Sequence, residues 1–396
     1  MLGALFARVR QFSRLRRRQR QLARLSQVDQ AALAKQATPD PGRVLVVRND
    51  SIGDYLLYRP WLRLLAQQVR GRGQRLTLAA NALWAPLARA WDADLFDELL
   101  VVDFRRFQHD LGYRTEVLGT IGAGGYGEVI YPLHVREPAV ENFIRFLRAP
   151  RRVASQGEHR TDAWFSLLDQ SYTLLLPTTP ATLFEYDRNG EFFTNWLAAQ
   201  ALPAPPRPPL HLPVRADEAA RFQPPGAPPA IVLFPGASAR QKQWPAVHFA
   251  ALALGLHQRY GGRYRLVLAG SPADTALASR IQAAAGAVPL ENRCGQTTLP
   301  ELAALLSQAR LLISNDTVAA HLATQLGTPC LVVLMGENYG KFFPYPPELL
   351  RSPCQCLFPP EMEARFAAGN FRPPDRDPDI SCVSPVRVLA AAAELL

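Results

Sequence analysis

The stretch VLVVRNDSIGDYLLYRPWLRLLA, residues 44–66, joins a short apolar run to a helical pattern through a polar loop. The run Val44–Val47 is typical of a buried strand, and apolar residues at helical spacing follow from about Tyr55 to Val69. Further short apolar runs alternate with helical patterns as far as residue 131. This alternation predicts βαβ units built around a parallel sheet.

A second alternating set of strands and helices begins after a proline-rich stretch, residues 201–230. Such a stretch is extended and semi-rigid, so we place a domain boundary there. The predicted division is an N-terminal extension, a first domain, a linker and a second domain, at residues 1–42, 43–200, 201–230 and 231–396. The fold class expected is α/β, with two Rossmann-like domains facing a central cleft. The strands predicted in the second domain are Ile231–Phe234, Leu266–Ala269, Leu311–Ile313 and Leu331–Leu334.

The bulk composition is that of a globular protein, with 48% hydrophobic and 20% charged residues in 396. No apolar run approaches the roughly 20 residues that a membrane-spanning helix needs. The first residues do not have the pattern of a secretory signal, because arginines interrupt them at positions 8, 10 and 14. The odd count of five cysteines suits a reducing compartment. We therefore expect a cytoplasmic protein.

The net charge of +10 is concentrated in residues 1–28, which hold eight arginines and no acid. Because the rest of the chain is nearly neutral and no RNA-binding signature is present, we expect no nucleic-acid partner. Two interpretations of this segment stay open: an amphipathic helix on an anionic membrane surface, or a solvated extension. The first would place the protein on the inner face of the cytoplasmic membrane. The apolar residues at roughly helical spacing are Leu2, Leu5, Phe6, Val9, Phe12, Leu22 and Leu25.

The polar loop after the first strand, residues 48–54, is the first candidate site. Ligands of open parallel sheets bind beyond the carboxyl ends of the strands. The alternative is structural, because Ser51 and Asp54 have the spacing of a helix capping box. Capping does not account for Gly53, which suggests a close backbone approach. The candidate residues are Arg48, Ser51, Gly53 and Asp54.

The second candidate site is the Pro-Gly turn at 235–236, which leads to Lys242. The chain has 41 arginines and only three lysines, so a lysine in this loop suggests a compact point charge for a phosphate group. The alternative is an ordinary surface lysine.

The third candidate site is residues 314–321, SNDTVAAH, between a strand and a helix. We predict that Asn315 or Asp316 caps the helix, whose free N–H groups would then form an anion site. The alternative is a plain helix cap with His321 packed on the helix.

Three further patterns are interpreted as structural. The glycines at 122, 124 and 127 match G-x-G-x-x-G but precede a strand, so we predict a loop. The pair Asp92 and Asp94 is interpreted as capping. The group Cys354, Cys356 and Cys382 is one ligand short of a structural zinc set, so we predict reduced thiols. We expect no metal and no cofactor.

Taken together, the segments 44–66, 231–253, 266–274 and 311–336 resemble glycosyltransferase family 9, the ADP-heptose:lipopolysaccharide heptosyltransferases. The resemblance implies a GT-B fold whose N-terminal domain binds the acceptor through Arg48, Ser51 and Gly53. It also implies Asp54 as general base and Lys242 as a second catalytic residue. The residues expected to bind the donor are Gly236, Ala237, Ser238, Gly270, Asp316, Thr317, Val318, His321 and Gly336.

The function implied is inverting transfer of a sugar, heptose from ADP-heptose, to a lipopolysaccharide core or another lipid-linked or polysaccharide acceptor. Two alternatives stay open: a nucleotide-sugar epimerase, and a catalytically inactive module that binds a nucleotide sugar or a membrane surface. The chain departs from the family at Val318, where the family has glycine, and at Phe234, where it has histidine. The segment Met335–Asn338 also replaces the family's F-G-P-T.

Overall fold

The computed structural model describes residues 19–158, 163–372, 374 and 376–396. The chain divides into two compact units. The first contains the described residues up to Ala181 together with Tyr186–Pro208, and the second contains Thr182–Glu185 and Pro209–Leu396. The passage from Pro208 to Pro209 falls inside the proline-rich stretch predicted as the linker.

The first unit is built on a six-stranded parallel sheet in the order β3-β2-β1-β4-β5-β6. This is the strand order of a Rossmann fold, and it reverses direction between β1 and β4. The strands are β1 (Asp40–Arg48), β2 (Arg75–Asn81), β3 (Glu98–Val102), β4 (Tyr126–Tyr131), β5 (Arg151–Ser155) and β6 (Leu174–Leu176).

The helices that accompany this sheet cover its apolar faces. A helical segment at residues 19–32 precedes β1. The others are α1 (Ile52–Gly71), α2 (Ala85–Trp91), α3 (Phe104–His109), α4 (Leu111–Ala123), α5 (Pro138–Glu141), α6 (Ala163–Asp169) and α7 (Glu185–Ala198).

The helical segment 19–32 is part of the packing of the first unit. Leu22 and Leu25 are both 2% exposed, so neither lies on a solvated or membrane-facing surface. The buried carboxylate of Asp29 accepts hydrogen bonds from Arg114 Nε at 2.5 Å and Asn142 Nδ2 at 2.6 Å. The other apolar residues of the predicted amphipathic helix, at positions 2–12, lie outside the described residues.

The second unit repeats the topology of the first, with strand order β12-β11-β10-β7-β8-β9 and all neighbours parallel. Its order reverses between β7 and β10. The strands are β7 (Ala230–Phe234), β8 (Arg265–Leu268), β9 (Leu290–Asn292), β10 (Ala309–Asn315), β11 (Cys330–Val333) and β12 (Cys354–Leu357).

Helices also follow the strands of the second sheet. They are α8 (Ala216–Ala220), α9 (Ala246–Tyr260), α10 (Thr275–Ala285), α11 (Leu299–Ser307), α12 (Val318–Leu326), α13 (Pro360–Ala367) and α14 (Pro385–Leu395). Trp244 is fully buried just before α9, and its indole N–H donates to Val383 O at 2.8 Å. Within the part of the chain that the structure describes, every helix is too short or too polar to span a lipid bilayer.

One local prediction was wrong. Gly122 lies in the last turn of α4 and Gly127 lies in β4, so only Gly124 and Gly125 connect the two elements. Gly125 has φ +58°, and a Cβ there would lie 2.6 Å from Thr38 O. Asp92 is the C-cap residue of α2, as predicted, and its buried carboxylate accepts from Arg59 Nε at 2.6 Å and Tyr55 Oη at 2.7 Å.

Candidate functional site

In the first unit, the loop after β1 leads directly into α1, at the point where the strand order reverses. Ser51 is the N-cap residue of α1, but its side chain makes no capping hydrogen bond. Gly53 and Asp54 lie in the first turn, and Asp54 is half-buried. The capping-box interpretation of Ser51 is therefore wrong, and Asp54 lies in the first turn, at the N-terminus of α1.

This loop is fixed by a buried ion pair between Arg48 and Asp50. The Arg48 guanidinium also donates to Asn189 Oδ1 at 2.9 Å and lies 3.9 Å from the ring centroid of Tyr58. Burial raises the pKa of Asp50, and the adjacent Arg48 opposes this shift. Because Arg48 is 0% exposed, it holds Asp50 in place and does not reach solvent. The acceptor contact predicted for Arg48 stays a prediction.

Main-chain and aromatic contacts complete the rigid setting of the loop. The Asp50 carbonyl accepts from Asn81 Nδ2 at 3.0 Å and from Trp84 Nε1 at 3.1 Å. Tyr55, the residue after Asp54, stacks on Trp84 with ring centroids 4.1 Å apart. At the end of β4, Tyr131 Oη donates to Asn49 Oδ1 at 2.9 Å. The loop before α1 is thus held by residues at the ends of β2 and β4 and by Trp84.

In the second unit, Asn315 joins the two predicted motifs. Its buried side-chain amide donates to the carbonyls of Pro235 at 2.8 Å and Gly236 at 3.1 Å. Its Oδ1 accepts from Trp244 N at 3.1 Å. Asn315 therefore does not cap α12, as the sequence had suggested, because both ends of its amide are already used. This role of Asn315 had no signal in the sequence beyond its position at a strand end.

Thr317 is the residue that caps α12. Its hydroxyl accepts from Ala319 N at 3.2 Å and lies 2.9 Å from Ser314 Oγ. Val318 is the first residue of the helix and is half-buried. The predicted cap at Asn315 or Asp316 is therefore wrong by one or two residues. The first turn of α12 still presents the positive end of a helix dipole, although the N–H groups of Ala319 and Ala320 donate to Thr317.

Lys242 lies between two carboxylates. Its Nζ is 2.7 Å from Glu337 Oε1 and 3.6 Å from Asp316 Oδ2. Burial lowers the pKa of Lys242, but the hydrogen bond to Glu337 and the charge of Asp316 outweigh it, so the pKa is raised. Burial raises the pKa of Asp316, and Lys242 opposes that shift. Lys242 is therefore a held cation, only 23% exposed, and not an ordinary surface lysine.

Gly236 and Gly270 follow the ends of neighbouring strands β7 and β8. A Cβ on Gly236 would lie 2.6 Å from Asp274 Oδ2, and a Cβ on Gly270 would lie 3.0 Å from Asp274 Cβ. Asp274 is fixed there by Ser271, whose N and Oγ donate at 2.8 and 2.7 Å. Asp274 occupies the space that a Cβ would need at both positions, so both positions require glycine. Of the two other residues predicted in this loop, Ala237 is half-buried and Ser238 is exposed.

His321 is packed in an aromatic cluster below the first turn of α12. It is 4% exposed, its Nδ1 lies 2.8 Å from Tyr345 Oη, and its ring centroid is 4.7 Å from that of Phe343. Burial lowers the pKa of His321 to about 3, so the ring is neutral at physiological pH. Gly336 has φ +93°, and a Cβ there would meet the ring of Phe366 at 3.1 Å.

Three strands that are neighbours in the sheet, β7, β10 and β11, are therefore followed by loops that carry one polar cluster. It contains Lys242, Asp316, Thr317 and Glu337, and we call it the lysine cluster. Sequence reasoning missed Glu337, because no spacing rule linked it to Lys242 more than 90 positions earlier. Asp54 belongs to the other unit, and its convergence with the lysine cluster across a cleft stays a prediction.

The cysteines carry free thiols. Among the residues that the structure describes, no group of three or more His, Cys, Asp or Glu side chains is arranged to hold a metal ion.

The chain is similar to known proteins over most of its length. A family model for glycosyltransferase family 9 (heptosyltransferase) matches residues 143–349. Lipopolysaccharide heptosyltransferase 3 of Escherichia coli is 27% identical over 175 residues, which are 42% of this chain and 46% of that protein. The chain thus spans less than half the length of this curated relative.

Solved structures share the fold. A family 9 glycosyltransferase from Veillonella parvula has a TM-score of 0.66 at 19% identity, covering 91% of this chain and 98% of that one. The E. coli heptosyltransferase WaaC with ADP-2-deoxy-2-fluoro heptose has a TM-score of 0.61 at 20% identity, covering 89% and 100%. The predicted α/β fold class, GT-B, is confirmed. Because the family model matches more than half of the residues, including the lysine cluster, the chain belongs to glycosyltransferase family 9.

Proposed function

We propose that this protein is a glycosyltransferase that moves a sugar from a nucleoside diphosphate to a lipopolysaccharide core acceptor. The observation that carries the proposal is the lysine cluster, which places a held cation beside the N-terminus of α12 where the strand order reverses. A point charge and the positive end of a helix dipole at a strand end suit a diphosphate.

The donor that we propose is ADP-heptose. The support is the family, together with the WaaC structure, which contains an ADP-heptose analogue. In the proposed arrangement the diphosphate lies against Lys242 and the first turn of α12. His321, neutral and buried, would then act by packing beneath the turn and not as a charged ligand.

The proposed chemistry is an in-line displacement with inversion at the anomeric carbon. The acceptor oxygen forms the new bond to that carbon, and its proton passes to Asp54 as general base. The bond from the carbon to the diphosphate oxygen breaks, and its electron pair leaves with the phosphate. General-base catalysis contributes ~10²–10⁴-fold in comparable enzymes.

The charge that develops on the leaving diphosphate is the second target of catalysis. Lys242 and the helix dipole at the start of α12 are already in place before reaction, so they stabilise this charge without reorganisation. The acid and the cation come from different units, so the proposal includes their approach on substrate binding.

The location that we propose is the cytoplasmic face of the inner membrane, where a lipid-linked acceptor would be reached. Support comes from the arginines of the first 18 residues and from the function printed for the curated relative. Release of the protein from anionic vesicles after deletion of residues 1–18 would support this location, and unchanged vesicle binding would contradict it.

The test of the donor class is a thermal-shift screen with ADP, UDP, GDP and their sugar conjugates. A ligand that binds only the native state raises the melting temperature. We expect stabilisation by ADP and ADP-heptose over the UDP and GDP compounds. Analysis of products with lipopolysaccharide acceptor then separates transfer from epimerisation, which needs no acceptor.

One observation favours a second candidate, a module that binds nucleotide sugars without turnover. Val318 is the first residue of α12, and its side chain would hinder a phosphate from approaching the N-terminus of the helix. Binding of ADP-heptose with no transfer to any acceptor would support this candidate. Measurable transfer would eliminate it.

A further inference from the structure

The lysine cluster contains more negative than positive charge. The single ammonium group of Lys242 faces the carboxylates of Glu337 at 2.7 Å and Asp316 at 3.6 Å. One positive and two negative charges leave a net charge of −1 when both acids are ionised. A site with this balance attracts a phosphate less strongly than an unpaired lysine would, and each added phosphate charge is repelled by the carboxylates.

Glu337 is held at this position by the loop that carries it. Within the loop, Tyr339 N donates to Gly336 O at 3.3 Å and Lys341 N donates to Asn338 O at 3.0 Å. The ring of Tyr339 lies 4.1 Å from that of Phe366, which anchors the loop to α13. Glu337 is 23% exposed, so solvent and salt screen its charge only in part.

The substrate and product of the proposed reaction differ in charge at the terminal phosphate, which in the proposed arrangement lies against Lys242 and therefore close to Glu337. In a nucleotide sugar the terminal phosphate has two substituents, the sugar and the neighbouring phosphate, and carries one negative charge. When the bond to the sugar breaks, only the anhydride bond to the neighbouring phosphate remains, and the charge of the terminal phosphate at pH 7 becomes about −1.5 to −2. A fixed carboxylate therefore repels the product more than the substrate.

Resting on the proposed function, we propose that Glu337 is a specificity-determining residue that favours the nucleotide sugar over the free nucleoside diphosphate and thereby speeds product release. Lys242 supplies the attraction common to both ligands. Glu337 repels the terminal phosphate, and this repulsion grows with the negative charge of that phosphate. Release of product limits turnover in many enzymes, so this selection bears directly on the rate of repeated transfer.

The test is calorimetric titration of the full-length wild-type protein and the Glu337→Gln variant with ADP and with ADP-heptose. We expect Glu337→Gln to tighten ADP about tenfold and ADP-heptose about twofold, because a like charge at a few ångströms is removed. The ratio of the two dissociation constants then falls about fivefold. A ratio equal to that of the wild type overturns the proposal.

Two further variants isolate the charge of Glu337. Glu361→Gln removes the same formal charge from an exposed glutamate of α13, whose partner Arg376 is 3.6 Å away, and leaves the ratio unchanged. Glu337→Ala reproduces the fall seen with Glu337→Gln and covers the case in which the glutamine variant does not fold. An equal fall with Glu361→Gln contradicts a local role.

The outcomes separate this proposal from the proposed function. If the wild type binds neither ADP nor ADP-heptose, the proposed function fails and this inference fails with it. If it binds both and the ratio does not move in Glu337→Gln, only the role of Glu337 is lost. In steady-state transfer, the supporting result is an inhibition constant for ADP that is lower in Glu337→Gln than in Glu361→Gln.

Discussion

The ends of β1 and β10 both lie where the strand order reverses, in two sheets of the same strand order, yet their surroundings differ in charge. After β1, the charges next to the loop are buried in the pair of Arg48 and Asp50, and Asp54 follows in the first turn of an uncapped helix. After β10, Asp316 precedes a helix capped by Thr317, and Lys242, which follows β7, lies 23% exposed between two carboxylates. One topology therefore supports two kinds of site, because the loops and not the strands carry the charges.

The largest effect on the transfer rate is expected from a change at the loop after β1. Replacing Asp54 with asparagine removes the proposed base while keeping its size, so the transfer rate should fall ~10²–10⁴-fold. Rates are measured with ADP-heptose and a lipopolysaccharide acceptor. Stabilisation of the variant by ADP should match that of the wild type. Transfer at the wild-type rate would remove Asp54 from the mechanism.

In the lysine cluster, Lys242→Gln should reduce transfer by ~10²–10³-fold, the range seen when one preorganised donor to a developing oxyanion is lost. In contrast to Asp54→Asn, this variant should also lose thermal stabilisation by ADP. The matched control is Lys341→Gln, a second lysine of the same unit that lies over the ring of Phe342. If Lys341→Gln and Lys242→Gln behave alike, Lys242 has no special role.

A third change concerns the stability of the first unit. Asp29→Ala leaves the fully buried guanidinium of Arg114 without its charge partner, which should cost about 3–5 kcal/mol of unfolding free energy. Chemical denaturation measures this loss. The exposed pair of Arg215 and Asp217 provides the control, because Asp217→Ala should cost at most about 1 kcal/mol. Equal losses in the two variants would mean that segment 19–32 contributes little to the fold.

The smallest effects on unfolding free energy are expected at the N-termini of α1 and α12. Thr317→Ala removes a capping hydrogen bond from α12 and should cost about 1 kcal/mol of unfolding free energy. Ser51→Ala should change stability by less than about 0.5 kcal/mol, because the Ser51 side chain makes no such bond. A larger loss for Ser51 than for Thr317 would contradict the assigned caps.

Much of the fold was predictable because its strongest signals are local. The apolar runs at 44–47 and 231–234 are buried strands, and the alternation of strands and helices gave the parallel sheets. Strands such as β5 and β9 were missed. Their sequences, RRVAS and LEN, carry too few apolar residues to show a strand pattern, and only pairing within the sheet defines them.

The candidate site was predictable in part, and for the same reason. Motifs at strand ends identified Lys242 and Asp316, since loops at that edge are where ligands bind. The contact with Glu337 and the clamp made by Asn315 depend on which strands become neighbours, which no local pattern in the sequence shows. The exchange of the cap from Asn315 to Thr317 follows from that same clamp, because an amide already bonded at both ends is not free to cap.

The amide of Asn315 has a consequence for altering this protein. It fastens the turn at Pro235 and Gly236 to the segment that opens α12, and it also receives the main-chain N–H of Trp244. A graft of either loop from a relative would leave hydrogen-bonding groups stranded in the interior. Attempts to change which ligand this site binds should therefore replace residues 235–244 and 315–318 together.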